Sequence, residues 1–267
     1  MRTEPNTSSK LYVADFGAPV EILDGSSYQH IGEISNGVDK PGGEWVDAQG
    51  RFYVASYGAK HVTEYSRTGG SPICTYSSGL SDPTNVTTDA AGNVYVVDYN
   101  FGSAGAVDVY LQCTNTIASQ YAISGGPEGA ALDNNGDLFV SYNAAGQGAI
   151  EEFPTGSKSP VPLSIPVAFS GGVIVDAKQN LLVCDQLQGL IDQVPPPYNS
   201  VTLQFTGFAS PFNVSLSGNG KRLFLSDPAR QAVVVLSYPA GVRLAVLKRK
   251  NGLRDPVGVA ASPDFVQ

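Results

Sequence analysis

The sequence is poor in the residues that most often carry chemistry. Its 267 residues include two His, three Cys, one Met and one Trp, and only 15% are charged. His30 and His61 alone do not support a His-rich zinc site, and no Gly-x-Ser-x-Gly motif marks a nucleophile. The net charge of −8 argues against a nucleic-acid partner, because such surfaces need clustered Lys and Arg. No run of 18 apolar residues occurs, so we expect no membrane span.

Glycine, proline and apolar residues are abundant instead. The chain has 30 Gly, 18 Pro and 42% hydrophobic residues, which is typical of short strands joined by tight turns and argues against a helical bundle. Residues 1–10 are polar and contain no secretory signal. The compartment is therefore open: secreted or periplasmic if a signal peptide was removed, and cytoplasmic otherwise.

A repeat organises the chain. Its clearest copies are Pro41-Gly-Gly-Glu-Trp-Val-Asp47, Pro83-Thr-Asn-Val-Thr-Thr-Asp89 and Pro127-Glu-Gly-Ala-Ala-Leu-Asp133, and the six copies begin at residues 41, 83, 127, 170, 211 and 256, with a mean spacing of 43 residues. Each complete copy holds four β-prone stretches. This spacing predicts an all-β, six-bladed β-propeller of four-stranded antiparallel blades.

The two ends of the chain supply the remaining blade. Residues 256–262 resemble a first strand without successors, and Leu11-Tyr-Val-Ala-Asp15 resembles a second strand without a predecessor. We therefore predict that the C-terminal first strand joins the N-terminal strands and closes the ring. The domain prediction is a polar stub over residues 1–10 and a single propeller over residues 11–267.

The residue pattern from Asp82 to Asp98 and from Gly126 to Ser141 resembles that of the NHL-repeat six-bladed propellers. It is also similar to the gluconolactonase and senescence-marker family, which shares this architecture. That second resemblance implies a catalytic calcium near the channel mouth, held by residues that follow the repeated proline. Those six positions contain a single carboxylate, Glu128, so the expected ligands shift to a neighbouring set: Glu44, Asn85, Glu128 and Asn213.

A binding surface is the other candidate site. The loops between second and third strands share one face. The longest two are Gly-rich, are expected to be flexible, and contain Asn100 and Asn143. Aromatic residues follow the second strand in four consecutive repeats, as an arc that either contacts a ligand or packs the blades: Phe16, Tyr57, Tyr99 and Tyr142. Trp45, the one tryptophan, is a candidate pocket wall.

Repeated aspartates and the cysteines have structural interpretations. Asp47, Asp89, Asp133 and Asp176 begin turns and are expected to bond turn amides. Asp15, Asp98, Asp185 and Asp227 end second strands and are expected to bond loop amides. Cys184 is predicted to be core, whereas Cys74 and Cys113 end consecutive repeats and are a candidate disulfide.

Two functions follow from these observations. The first is a non-catalytic binding or scaffold propeller without a cofactor, monomeric, with a small molecule, glycan or protein as partner. The alternative is a calcium-dependent, lactonase-like hydrolase with its metal at the channel mouth.

Overall fold

The computed structural model describes residues 9–100 and 104–263, and it is built almost entirely of β-strands. Its 24 strands form six separate four-stranded sheets. Neighbouring strands within each sheet are antiparallel, and consecutive sheets pack through their first strands around a common channel. This arrangement confirms the predicted six-bladed β-propeller. Among the described residues, no helix has the length and apolar character needed to cross a membrane.

The blades are numbered along the chain, and within each the strands run from the channel to the rim. Blade one contains β24 (Ala260–Ala261), β1 (Lys10–Ala14), β2 (Val20–Asp24) and β3 (His30–Ile34). Blade two contains β4 (Pro41–Val46), β5 (Phe52–Ser56), β6 (His61–Tyr65) and β7 (Cys74–Tyr76). Blade three contains β8 (Pro83–Thr88), β9 (Val94–Asp98), β10 (Ala106–Tyr110) and β11 (Ile117–Ala122).

The remaining blades follow the same order. Blade four contains β12 (Gly126–Leu132), β13 (Leu138–Ala144), β14 (Gln147–Phe153) and β15 (Val161–Leu163). Blade five contains β16 (Ser170–Val175), β17 (Leu181–Asp185), β18 (Leu190–Val194) and β19 (Leu203–Thr206). Blade six contains β20 (Asn213–Leu216), β21 (Arg222–Asp227), β22 (Ala232–Ser237) and β23 (Arg243–Leu247). Two short 3-10 helices, Pro228–Arg230 and Arg249–Asn251, accompany blade six.

The core lies between the blades. A second strand has a neighbouring blade on each side, so it is buried on both faces and reads as an almost continuous apolar run, as in β5 and β17. Tyr53 of blade two and Tyr110 of blade three belong to one such buried cluster. Cys184 is fully buried in another, as predicted for a core cysteine, and burial raises the pKa of its thiol.

The chain ends close the ring as predicted. Leu11 pairs with Ala261 and Tyr12 with Ala260, so β24 completes blade one. The buried Asp15 carboxylate accepts hydrogen bonds from the amides of Arg254, at 2.8 Å, and Asp255. The domain boundaries stay a prediction, since residues 1–8 and 264–267 lie outside the described part of the chain.

The two faces of the ring have different polar chemistry. On the face called here the turn face, each turn aspartate accepts two backbone amides at 2.8–2.9 Å, which confirms the turn interpretation of Asp47, Asp89, Asp133 and Asp176. The opposite face, called the loop face, carries the second-to-third-strand loops and the starts of the first strands, as the pairing of Pro41 with Ser56 and of Pro83 with Asp98 shows.

Candidate functional site: the central channel and the loop face

The first strands surround a small cavity in the channel. Its volume is about 60 Å³, which holds only a few water molecules. Three of the four residues predicted as calcium ligands line it: Glu44, Asn85 and Asn213. Trp45 also lines it, as the pocket-wall interpretation requires, and donates from Nε1 to Thr88 Oγ1 at 2.9 Å.

Glu44 is the single carboxylate among the residues that line this cavity. Its side chain is 3% exposed, and Oε1 accepts a hydrogen bond from the Ala14 amide at 3.0 Å. Oε2 has no hydrogen-bond partner. Burial raises the pKa of Glu44 well above its usual value, against the lowering effect of the bonds from the Ala14 and Ala260 amides. Burial therefore favours the protonated form of this carboxyl group.

Glu128 lies nearby but does not line the cavity. Its Oε1 accepts from Asn143 Nδ2 at 3.2 Å. Burial, reinforced by the negative charge of Asp82, raises the pKa of Glu128 to about 7, although the bond from Asn143 lowers it. Asn85 is also engaged, because its Oδ1 accepts from the Val86 amide at 2.8 Å and its Nδ2 donates to the Glu128 carbonyl at 3.3 Å.

These residues do not fit a calcium centre. Calcium takes roughly six to eight oxygen ligands, usually with several carboxylates. Here the cavity receives one carboxyl group, whose Oε1 already accepts the Ala14 amide. The Asn85 Oδ1 already accepts the Val86 amide. The rest of the lining mixes apolar side chains, such as Val86, with the neutral polar side chains of Thr87 and Asn213, and it contains no second carboxylate. We therefore derive no chemical step through calcium.

Close packing of first strands constricts the channel on the loop face. A Cβ on Gly42 would lie 2.7 Å from the Thr84 carbonyl oxygen, and one on Gly129 would lie 2.8 Å from the Gly172 Cα. On the other side of β16, the Gly172 amide donates to the carbonyl of Phe212, which precedes β20, at 2.6 Å. Larger residues at these glycines would force the blades apart, so the repeated glycines serve the closure of the ring.

The aspartates that end second strands hold the loop face together. Each accepts hydrogen bonds from two successive amides in the loop that precedes the first strand of its own blade, which confirms their predicted role. In blade three, for example, Asp98 accepts from the Ser81 amide at 3.0 Å and the Asp82 amide at 2.6 Å. In blade four the equivalent residue is Ser141, whose hydroxyl donates to the Gly171 carbonyl of blade five at 2.6 Å.

Only part of the predicted aromatic arc presents a contact surface. Phe16 is 43% exposed, and its ring centroid lies 6.5 Å from that of Tyr57. Tyr99 is half-buried, and burial, followed by the charges of Glu128 and Asp82, raises the pKa of its phenol. Tyr142 packs against the hydrophobic cluster between blades three and four. The arc thus combines both interpretations, with blade packing at one end and, at the other, an aromatic pair of which Phe16 is exposed.

The two asparagine candidates occupy different settings. Asn100 is exposed and donates from Nδ2 to the Ala104 carbonyl at 2.9 Å, while residues 101–103 of its loop lie outside the described residues. Asn143 lies within β13, because β13 and β14 extend through the expected loop and leave only a two-residue turn, Ala145 and Gly146. Asn143 is buried and fully bonded, so it is not a residue of a flexible loop.

Leu187 is a surface residue that sequence reasoning missed. It lies in the second-to-third-strand loop of blade five and is 74% exposed, on the loop face. The available signal was an apolar residue between two glutamines, Gln186 and Gln188, in a loop otherwise without apolar side chains. Leu187 is thus a second exposed apolar side chain on the loop face, in addition to Phe16.

The histidines and the cysteine pair lie away from the channel. His30 is on the rim strand of blade one, 2.7 Å from a Glu21 oxygen, and His61 bonds the Gly37 carbonyl at 2.9 Å. Cys74 and Cys113 are joined by a disulfide, with Cα atoms 5.2 Å apart, which links the rims of blades two and three. A separation of this size suits a disulfide.

Comparisons with known proteins give the fold and no family. No family model and no curated protein matches the sequence. Among solved structures, the chain is similar to one described as a nidogen/laminin complex, with 17% identity over 95% of this chain and 98% of the other and a TM-score of 0.79. A protein of unknown function from Bacteroides caccae has 10% identity over 96% of this chain and all of its own, with a TM-score of 0.75.

An enzyme appears among the similar structures too. A catalytically inactive histidine-to-alanine variant of virginiamycin B lyase from Staphylococcus aureus, solved with quinupristin, has 13% identity over 95% of this chain and 86% of its own, with a TM-score of 0.63. Identities this low establish a shared six-bladed propeller and nothing about activity. The same fold therefore accompanies proteins of different roles.

Proposed function

We propose that the chain is a non-catalytic, NHL-like binding or scaffold propeller whose ligand or protein partner contacts the loop face. The size of the central cavity carries this proposal. Sites for small molecules usually enclose roughly 300–1,000 Å³, whereas the channel cavity has about 60 Å³. A metabolite therefore does not fit beside Glu44, and binding falls to the exposed surface.

The loop face offers a suitable surface. The exposed Phe16 and the half-buried Tyr57 form an aromatic pair, and aromatic rings bind sugar faces and apolar peptide side chains. The backbone at this pair is already hydrogen-bonded, because the Phe16 amide donates to the Asp255 carbonyl at 2.8 Å and the Tyr57 amide donates to the Lys40 carbonyl at 3.1 Å. Little ordering of the backbone is therefore required on binding. The similar nidogen/laminin structure is described as a protein complex, which supports including proteins among the candidate partners.

Arrays of glycans and of peptides test this proposal. We expect binding to at least one member, and we expect Phe16→Ala with Tyr57→Ala to weaken it at least tenfold, as for buried aromatic anchors worth about 2 kcal/mol each. Leu244→Ala is the matched control, since Leu244 is 50% exposed but lies on the rim strand β23. Binding that survives the double substitution and is lost in the control would place the site elsewhere.

A calcium-dependent lactonase-like hydrolase is the second candidate. Because the channel lining does not fit a calcium centre, this candidate rests on two observations alone: the unpartnered Oε2 of Glu44 and the raised pKa of Glu128, since shifted carboxyl groups are common at catalytic sites. Hydrolysis of aliphatic lactones with and without calcium distinguishes the candidates. Activity that needs calcium and disappears in both Glu44→Gln and Glu128→Gln would favour the enzyme over the binding propeller.

A further inference from the structure

Three metal-binding side chains meet on the rim between blades two and three. Cys74 belongs to the rim strand β7, Cys113 to the turn between β10 and β11, and Glu64 to β6. One ligand atom from each, two sulfurs and a carboxylate oxygen, lie within 4.8 Å of one another. In the part of the chain that the structure describes, no other group of three His, Cys, Asp or Glu side chains is arranged this way.

The carboxylate is already oriented by neighbouring groups. Tyr76 donates from its hydroxyl to Glu64 Oε2 at 2.6 Å, and Gln112 donates from Nε2 to Oε1 at 3.4 Å. The Cys113 amide in turn donates to the Tyr76 hydroxyl at 3.1 Å. Metal sites use such outer partners to fix the direction of their ligands. Here the partners tie the carboxylate to the backbone of one of the two cysteines.

Charge also suits a divalent cation. Two thiolates and one carboxylate carry three negative charges, and Arg51 lies 3.5 Å from Glu64 Oε1 with one positive charge. The ligand group therefore keeps a net negative charge, which favours a divalent cation. Arg51 also bonds Asp47 at 2.6 Å, so it has a separate partner when a metal approaches Glu64.

We propose that, once the Cys74–Cys113 bond is reduced, these two cysteines and Glu64 bind a thiophilic divalent cation of the zinc class, with water as the remaining ligand. Zinc binds Cys thiolates and Asp or Glu carboxylates, and its sites with three protein ligands keep a fourth position for water. Cys113 is exposed and gives the ion a path from solvent.

A phosphine is a suitable reductant for the Cys74–Cys113 disulfide. The phosphine supplies two electrons, takes oxygen from water to become its oxide, and leaves two thiols in place of the S–S bond. Binding of the ion then releases the two thiol protons, because only thiolates are ligands. The disulfide and the metal therefore exclude each other, and the oxidised chain is the natural control for the reduced one.

Cobalt(II) provides a direct probe, because thiolate-to-cobalt charge transfer gives an absorption that other ligands do not. We expect one cobalt per reduced chain with this absorption, none in the oxidised chain, and displacement of cobalt by zinc. Cys184→Ala is the matched control and keeps the signal, since Cys184 is buried in another part of the core. Absence of the absorption in the reduced wild-type chain would overturn the proposal.

Single substitutions test the ligand set. Cys113→Ser changes an exposed residue and should abolish the charge-transfer signal while circular dichroism stays unchanged. Glu64→Gln should weaken cobalt binding by at least about tenfold, the loss that removal even of an outer-shell partner produces. A Cys113→Ser chain that binds cobalt as wild type does, or a Cys184→Ala chain that loses the signal, would contradict the assignment.

Discussion

Glu151 tests how the burial of a carboxyl group within a blade affects the stability of the protein. It lies on β14, is 4% exposed, and its Oε1 has no hydrogen-bond partner. The equivalent residue of blade three is Asp108, whose Oδ1 accepts a hydrogen bond from the side-chain Nε2 of Gln120, on the rim strand, at 2.7 Å. In blade four the rim position opposite Glu151 is Pro162, which has no donor. Burial without a donor raises the pKa of Glu151 to about 7.

This pKa fixes the sign and size of a pH effect on stability. The carboxyl titrates near 4.5 in the unfolded chain and near 7 in the native one. Between these values the native state holds a proton that the unfolded state releases, so the unfolding free energy falls as the pH rises. At 1.36 kcal/mol per pH unit, Glu151 lowers stability by about 3 kcal/mol above pH 7, and by nothing below its unfolded pKa.

Glu151→Gln removes this titration and keeps the shape of the side chain. We expect its unfolding free energy, relative to wild type, to rise by about 3 kcal/mol between about pH 4.5 and 7.5 in urea titrations. Glu152→Gln is the matched control, because the neighbouring Glu152 is half-exposed and should show a much smaller change. A difference that stays constant over this pH range for Glu151→Gln would refute the reasoning.

Three further predictions concern the closure of the ring and the stability of its loops. Deleting residues 255–267 removes β24 and should abolish the cooperative thermal transition in circular dichroism, and a transition at the wild-type temperature would contradict the closure. Reducing the bond between Cys74 and Cys113, which are 39 residues apart, should lower the unfolding free energy by about 4 kcal/mol, and identical urea curves with and without reductant would argue against a stabilising disulfide. Asp98→Ala leaves two loop amides before β8 without their acceptor and should cost about 2 kcal/mol in the same assay, whereas a loss below about 0.5 kcal/mol would mean that water replaces the carboxylate.

The fold was predictable because its signals recur. Six copies of one pattern determine the number of blades, and the aspartate positions repeat with them, as Asp89 and Asp98 illustrate. Ring closure followed from two incomplete copies at the ends of the chain. Each of these inferences rests on local turn chemistry or strand burial, which a sequence displays directly.

The candidate site was less predictable, because it depends on side-chain directions between blades. Spacing alone placed Glu128 with Glu44, yet its carboxylate faces Asn143 and not the cavity. Glycines in blade four suggested a flexible loop, but the strands continue through Asn143 to a tight turn. The partners of Glu64 on the rim come from separate strands and turns, and no local pattern indicates their meeting.

In this repeat protein, candidate function concentrates where the blades differ. Residues common to several blades are engaged in structure: turn aspartates bond turn amides, and strand-end aspartates bond loop amides. The position after the second strand is aromatic in four blades but becomes Gln186 in blade five, where its amide donates to the Ser170 carbonyl at 2.8 Å. The loop face is therefore asymmetric, with the aromatic pair of Phe16 and Tyr57 in blades one and two and the exposed Leu187 in blade five. An asymmetric surface on a rigid ring gives a partner a single orientation, which a ring of identical blades does not provide.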